Sequence, residues 1–173
     1  MIPKENLSPP EPINEYELKV LRRIAEYQFI SSSVASCLFP SDREFYVQRS
    51  VNTGKIRNVL TPDGILYLVL RAQDLLFSLQ EASAKVILKC TNPPALRVVI
   101  PSSVKSFVME GRSVFAKFVM DVDPKLRAGD EVVVVDENDA LIAVGKMRVS
   151  GEEVKQYKRG VAVNVRRGAK DVD

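Results

Sequence analysis

Gly111-Arg112-Ser113 leads directly into Val114-Phe115-Ala116-Lys117-Phe118-Val119, a glycine bend followed by an apolar ribbon that carries cations. The chemistry these residue types offer is the holding of an anion. A residue without a Cβ lets a phosphate or a minor-groove edge approach a main-chain amide. Arg112 supplies a planar fork that can grip a phosphate with two bonds, and Lys117 supplies a point charge. Toward the end of the chain, Lys155, Lys158-Arg159-Gly160 and Arg166-Arg167 extend the positive set. Lys105, Ser113 and Phe115 complete the candidate binding residues. Each has a plainer reading. Gly111 closes a helix, Arg112 and Lys117 are solvated cations, and the last Lys/Arg cluster, near Glu152 and Glu153, is a solvated helix face. One of Phe115 and Phe118 belongs to a core; whether the other meets a nucleotide is left open by the sequence.

Catalytic chemistry finds little to work with. The chain has no histidine, which removes Ser-His and Cys-His nucleophiles, the usual zinc sites and the commonest acid/base group. Cys37 and Cys90 are isolated and read as buried thiols, neither a disulfide framework nor a metal site. Arg71 and Asp74 read as an ion pair before an active-site pair. The acid pairs Asp121/Asp123 and Glu152/Glu153 lack the further ligands a metal needs. No catalytic residue, metal or cofactor is expected.

Charge does not announce the partner by itself. Residues 1–93 carry 11 Lys+Arg against 10 Asp+Glu, and residues 94–173 carry 14 against 12, so only clustering could make a binding surface. An apolar share of 46% with 27% charged residues is that of a soluble globular chain. No apolar run approaches the roughly 18 residues that cross a bilayer. A cytoplasmic protein without membrane contact is expected.

The elements that must position these residues fall into two units. Residues 1–13, with Pro3, Pro9, Pro10 and Pro12, read as a flexible arm. Asn14, with Glu17 three places on, marks the start of a helix over 15–29, whose Leu18, Leu21 and Ala25, with Val20, Ile24 and Tyr27, predict a core stripe. A short helical turn over 31–39 ends at Pro40. Strands are expected over 44–50, 56–60, 65–70 and 75–79, with turns at Thr53-Gly54-Lys55 and Pro62-Asp63-Gly64, then a helix over 81–88. This is an α+β unit over 14–92. Asn92-Pro93-Pro94 reads as the connector. The second unit, 95–168, predicts strands at 97–100, 114–119, 132–135, 141–147 and 161–165. Short helices fall at 102–109, capped by Ser102 or Ser103, and from Ser150 to Gly160. It is a mainly-β pseudo-barrel, followed by a tail over 169–173.

Several of these segments resemble a known family. Arg97-Val98-Val99-Ile100, the run 111–119, Gly129-Asp130-Glu131-Val132, Leu141-Ile142-Ala143-Val144-Gly145-Lys146 and Lys158-Arg159-Gly160-Val161-Ala162 look like a PUA domain, an RNA-binding pseudo-barrel. The variety is similar to that closing the archaeosine tRNA-guanine transglycosylases. Ala25-Glu26-Tyr27-Gln28-Phe29, Thr53-Gly54-Lys55-Ile56-Arg57 and Leu70-Arg71-Ala72-Gln73-Asp74 resemble the small domain before it. Nothing in this sequence resembles their catalytic barrel or its zinc site. The resemblance implies a non-catalytic RNA-binding protein that docks structured RNA, the tRNA acceptor arm first, in tRNA modification. In that family the segment 111–119 and the strand after Gly160 form the docking edge. Two alternatives stay open: a detached targeting subunit with a catalytic partner, and a protein-interaction module. Thr53–Arg57 is a candidate minor RNA contact beside its plain reading as a hairpin turn.

Overall fold

The computed structural model describes residues 5–169, and its contacts divide the chain into Met1–Cys90 and Thr91–Asp173. The first unit contains β1 (Glu11–Pro12), α1 (Glu15–Phe29), α2 (Ser32–Leu38), β2 (Tyr46–Arg49), β3 (Ile56–Leu60), β4 (Leu66–Leu70), β5 (Phe77–Leu79) and α3 (Glu81–Cys90). Its sheet runs β1-β2-β3-β4-β5 with antiparallel neighbours throughout. Asn14 caps α1, its side chain accepting from the Glu17 N–H at 2.7 Å. Ile30 ends the helix at φ 50°, and the Ser31 hydroxyl, accepting from Val34 N at 3.1 Å, starts the next.

The expected core stripe of α1 divides. Leu21 and Ala25 are buried, but Val20 and Tyr27 are exposed. At 100° per residue, Val20 and Tyr27 lie within about 20° of each other and roughly 100° or more from Leu21, on a different face. Inside, Phe39 contacts Phe45, Tyr67 and Phe77 with ring centroids 5.3, 6.3 and 5.7 Å apart, a largely edge-on cluster. The Tyr67 hydroxyl donates to Leu38 O at 2.7 Å, and burial raises its pKa. Arg22 donates twice to Phe39 O, at 3.0 and 2.7 Å, satisfying a carbonyl at the end of α2. Cys37 is half-buried and Cys90 exposed, which corrects the reading of both as buried thiols.

Residues 5–13 do not form a free arm. Glu11 and Pro12 pair with Val47 and Tyr46, Leu7 bridges to Ser50, and Ser8 N donates to Arg49 O at 2.8 Å. The prolines suit an edge strand, which needs no outward donor. Residues 1–4 lie outside the described part. Arg49 latches the segment: it forms an ion pair with Glu11 and a bidentate one with Glu17 at 2.6 and 2.7 Å. The hydrogen bond from Arg49 holds the Glu17 carboxyl below its ordinary pKa. A lowered carboxyl pKa stabilises the fold above the unfolded value, and that contribution disappears as pH falls through the folded value. Wild type should therefore exceed Arg49→Met in stability at neutral pH. In urea melts the gap should narrow between about pH 5 and pH 3; a gap constant with pH would contradict this role.

The second unit contains β6 (Arg97–Val99), a 3-10 turn (Ser102–Val104), α4 (Lys105–Met109), β7 (Val114–Phe115), a second 3-10 turn (Ala116–Phe118), β8 (Asp121–Val122), β9 (Glu131–Val135), β10 (Leu141–Met147), α5 (Gly151–Val154) and β11 (Val161–Gly168). The curled sheet runs β7-β11-β10-β9-β6-β8; β6 and β9 are parallel and the other pairs antiparallel. Val98, Ile100, Val132, Val134, Ile142 and Val163 lie in its core.

Arg97 is buried completely. Its Nε and Nη2 donate to the Asp139 carboxylate at 2.7 and 2.9 Å, and Nη1 donates to Thr91 Oγ1 and Ala95 O at 2.8 and 2.9 Å. One guanidinium therefore ties the segment 91–97 to the turn between β9 and β10.

Three expected elements differ from the structure. The strand over 114–119 stops at Phe115, because its partner β11 begins just after Gly160, where φ of 95° turns the chain away; a 3-10 turn follows. The helix from Ser150 is only Gly151–Val154, started by a Ser150/Glu153 capping box. The strand expected to end at Val165 runs on through Arg166, Arg167 and Gly168, paired with β10 through Val144↔Arg167 and Ala143↔Gly168. In addition, neither Ser102 nor Ser103 caps 102–109 by a side-chain bond; the Ser102 N–H and hydroxyl both bond Glu137.

Candidate nucleic-acid interface

β7 and β11 bring the two separated halves of the candidate set together. Phe115 pairs with Val161, Val114 with Val163, and Ala116 N donates to Gly160 O at 2.9 Å. At the other end of β11, Gly168 packs directly on the end of α4. A Cβ on Gly168 would stand 1.8 Å from Met109 O, so only glycine permits this approach. The bend at Gly111 and the strand β11 are thus held side by side over roughly 27 Å of strand. Gly168→Ala should destabilise the second unit by about 2–3 kcal/mol through overpacking against backbone. A chemical melt checks this, and an unchanged midpoint would contradict the tight packing.

Of the two roles weighed for Gly111, the structure shows the closing of the helix. With φ 99° it closes α4, its N–H donating to Val108 O at 2.9 Å, while Arg112 N donates to Phe107 O at 3.2 Å. Those two amides are therefore used inside the protein, which leaves the side chains of the bend as the groups that could meet an anion. Arg112 lies 5.5 Å over the ring of Phe107, which is itself half-exposed. Ser113 follows, half-buried, ahead of Phe115, whose ring is 46% exposed. Phe118 is more enclosed and lies beneath Lys117, whose Nζ is 4.9 Å from the ring centroid. Phe115 is the aromatic that reaches solvent.

Lys117, Lys155 and Lys158 line one cleft of about 310 Å³, together with Met120, Asp121 and Tyr157. Three ammonium groups around one concavity, with one carboxylate among the lining residues, make a local excess of positive charge that an anion relieves. Exposed Met120 and Tyr157 add an apolar rim. Arg159 and Gly160 are exposed at the same end. Neither Phe107 nor Tyr157 was signalled by the sequence. Their positions beside cations depend on how the helix end and the 155–159 turn fold back.

Other members of the set lie elsewhere or are engaged. Arg166 holds buried Glu131 with two bonds, at 3.1 and 2.7 Å, so its guanidinium neutralises a core carboxylate. Lys105, at the start of α4, stands near Glu137. The Ser102 hydroxyl first, and more weakly the Lys105 charge, hold that carboxyl below its ordinary pKa. Arg167 is exposed on the strand. One member of each acidic pair is structural: Asp123 accepts from Leu96 N and Lys125 N at 2.8 and 2.9 Å, and Glu153 closes its capping box. Arg71 and Asp74 form an ion pair at 2.9 Å that braces a turn. Among the described residues, no group of three or more His, Cys, Asp or Glu is placed to hold a metal, and no helix is long and apolar enough to cross a membrane.

This curled sheet with its exposed β7–β11 edge is that of a PUA domain, and residues 96–169 match the PUA domain model. Residues 19–94 match the patch-forming domain C2 of tRNA-guanine transglycosylase. The chain carries a PUA domain, and its two units together are similar to a C-terminal portion of the archaeal tRNA-guanine transglycosylases. It is 37% identical to the tRNA-guanine(15) transglycosylase of Thermoplasma acidophilum, over 91% of this chain and 24% of that protein. With the enzyme of Methanothermobacter thermautotrophicus the figures are 38%, 88% and 23%. The chain thus spans about a quarter of the length of these curated relatives. Among solved structures, a hypothetical protein from Pyrococcus horikoshii matches 94% of this chain and 96% of its own with a TM-score of 0.74 at 22% identity, a likeness of fold. A PUA domain from Aeropyrum pernix matches 96% and 88% with a TM-score of 0.70 at 14% identity.

Proposed function

We propose that this chain is an RNA-binding protein of tRNA modification, and that the β7–β11 edge with its lysine cleft docks the acceptor arm of tRNA. The observation that carries this reading is the convergence of Lys117, Lys155 and Lys158 on one cleft next to Phe115 and Gly160. A-form RNA offers a wide, shallow minor groove with 2′-hydroxyls and phosphates along its edges, so shape and backbone contacts dominate over base reading. Arg112, carried on Phe107 in the bend before β7, and Arg167, near the end of β11, extend the contact. Arg166 contributes to the fold first and to RNA second.

A fluorescence-polarisation titration tests this. Affinity for whole tRNA should fall with salt with a log–log slope near −3, if about three or four phosphates are neutralised. A minihelix of the acceptor arm should retain most of that affinity, and an anticodon-arm hairpin should not. Equal binding of the two fragments would remove the acceptor arm, and salt-independent binding would remove the phosphate contacts.

A second reading is favoured by one observation: similarity extends over 91% of this chain but only 24% of the relative. The docking units would then position tRNA for chemistry carried out by a transglycosylase-type catalytic part, whether on another polypeptide or in a longer chain. Affinity capture from native extract, followed by a base-exchange assay on the captured material, tests it. Recovery of the chain with no associated exchange activity counts against it.

A further inference from the structure

The outward face of α1 carries an apolar stripe. At 100° per residue, Tyr16, Val20, Arg23 and Tyr27 fall within about 60° of one another. Tyr16 and Tyr27 are 76% and 78% exposed, and Val20 is 40% exposed. Beside the stripe, α1 and residues 74–76 enclose a groove of about 530 Å³ whose aliphatic lining is Val20, Ile24, Leu75 and Leu76. Leu75 is half-exposed at φ 57°, a left-handed conformation that a leucine adopts only when its surroundings impose it. Tyrosine and arginine over an aliphatic floor is the composition of a protein–protein hot spot. Lys19 and Arg23 are matched on the same helix by Glu15 and Glu26, so an RNA backbone meets little net field here.

We propose that this groove is a two-fold interface with a second copy of the chain, α1 lying antiparallel to α1 of its partner. The stripe is self-complementary about a point near residue 22. An axis there sets Tyr16 against the partner's Tyr27 and Tyr27 against the partner's Tyr16. Lys19 and Glu26 lie on one flank of α1, within about 20° of each other. Their midpoint along the helix nearly coincides with that of the two tyrosines. The same axis therefore sets Lys19 opposite the partner's Glu26, and Glu26 opposite the partner's Lys19. The Arg23–Glu26 pair is 3.5 Å long with Arg23 81% exposed, so Glu26 is loosely held within its own chain. Such an isologous contact closes at two chains. A helix of this length buries an area at the low end for specific interfaces, and a dissociation constant on the order of 10–100 µM is expected.

Sedimentation equilibrium on the full chain tests the proposal, with circular dichroism melts to check that each variant folds. Wild type should associate to a dimer over that range, and Val20→Glu should abolish association. Lys19→Glu or Glu26→Lys alone should weaken it roughly tenfold by setting like charges opposite each other, and the double exchange should restore it. A monomer up to about 1 mM overturns the proposal, including the case where the groove serves a different polypeptide. A dimer indifferent to Val20→Glu or to the charge exchange overturns it as well. Val20→Glu should leave tRNA affinity per chain within about twofold; a monomeric wild type whose tRNA binding collapses in this variant assigns the groove to RNA instead.

Discussion

Asp139→Asn is expected to lower the stability of the second unit by about 3 kcal/mol, because it leaves the Arg97 charge enclosed without its carboxylate. Arg97 has no exposed side-chain surface, while Asp139 keeps 35% of its own, so the desolvated partner is the cation. Asparagine preserves the shape of the side chain and tolerates the φ of 61° found at this position, which isolates the charge from the backbone effect. Arg97→Met alone removes the donor that serves Ala95 O at 2.9 Å and, through Nη2, Thr91 O at 3.2 Å. The two substitutions together should cost less than their sum, with a coupling of at least about 1 kcal/mol in a double-mutant cycle. Denaturant unfolding followed by a probe in the second unit reads all four proteins. Additive losses would mean that the pair does not act as one.

Lys117→Glu combined with Lys158→Glu is expected to weaken tRNA binding by about 100-fold at moderate salt and to flatten the salt dependence by a slope of about 1.5–2. Both side chains are exposed and line the same cleft, so stability should stay within about 0.5 kcal/mol of wild type. Reversal of Lys85, an exposed lysine in an i,i+4 pair on α3, serves as a control that changes net charge without touching the cleft. Equal losses in the control and the cleft variants would reduce the interface to a general charge effect.

The parts of the fold written in local chemistry were legible. Asn14 before an amphipathic stretch set the start of α1, and Pro62-Asp63-Gly64 set a turn where Gly64 has φ 86° and donates to Thr61 O. The strands expected at 132–135 and 141–147 are β9 and β10, which pair across residues 136–140. What was hidden depends on partners distant in sequence. Arg97 looks like an ordinary strand residue until Asp139, 42 positions away, is brought to it. The proline-rich segment reads as an arm unless β2 is known to need an edge partner. The run 114–119 has strand composition throughout, yet only its first two residues meet β11. At the site, the glycine bend and the cations could be picked out. Their division could not: two bend amides are consumed within the helix end, and Arg166 is turned to Glu131. Lys117, Lys155 and Lys158 instead share a cleft.

Ultraviolet crosslinking of the full chain to tRNA, with peptide mapping of the attached sites, tests most directly whether the β7–β11 edge is where RNA lies. The expected result is crosslinked peptides containing Phe115 and Tyr157, the exposed aromatics beside the lysine cleft, lost in the Lys117→Glu, Lys158→Glu protein. Crosslinks confined to residues 14–90, or unaffected by that double reversal, would contradict it.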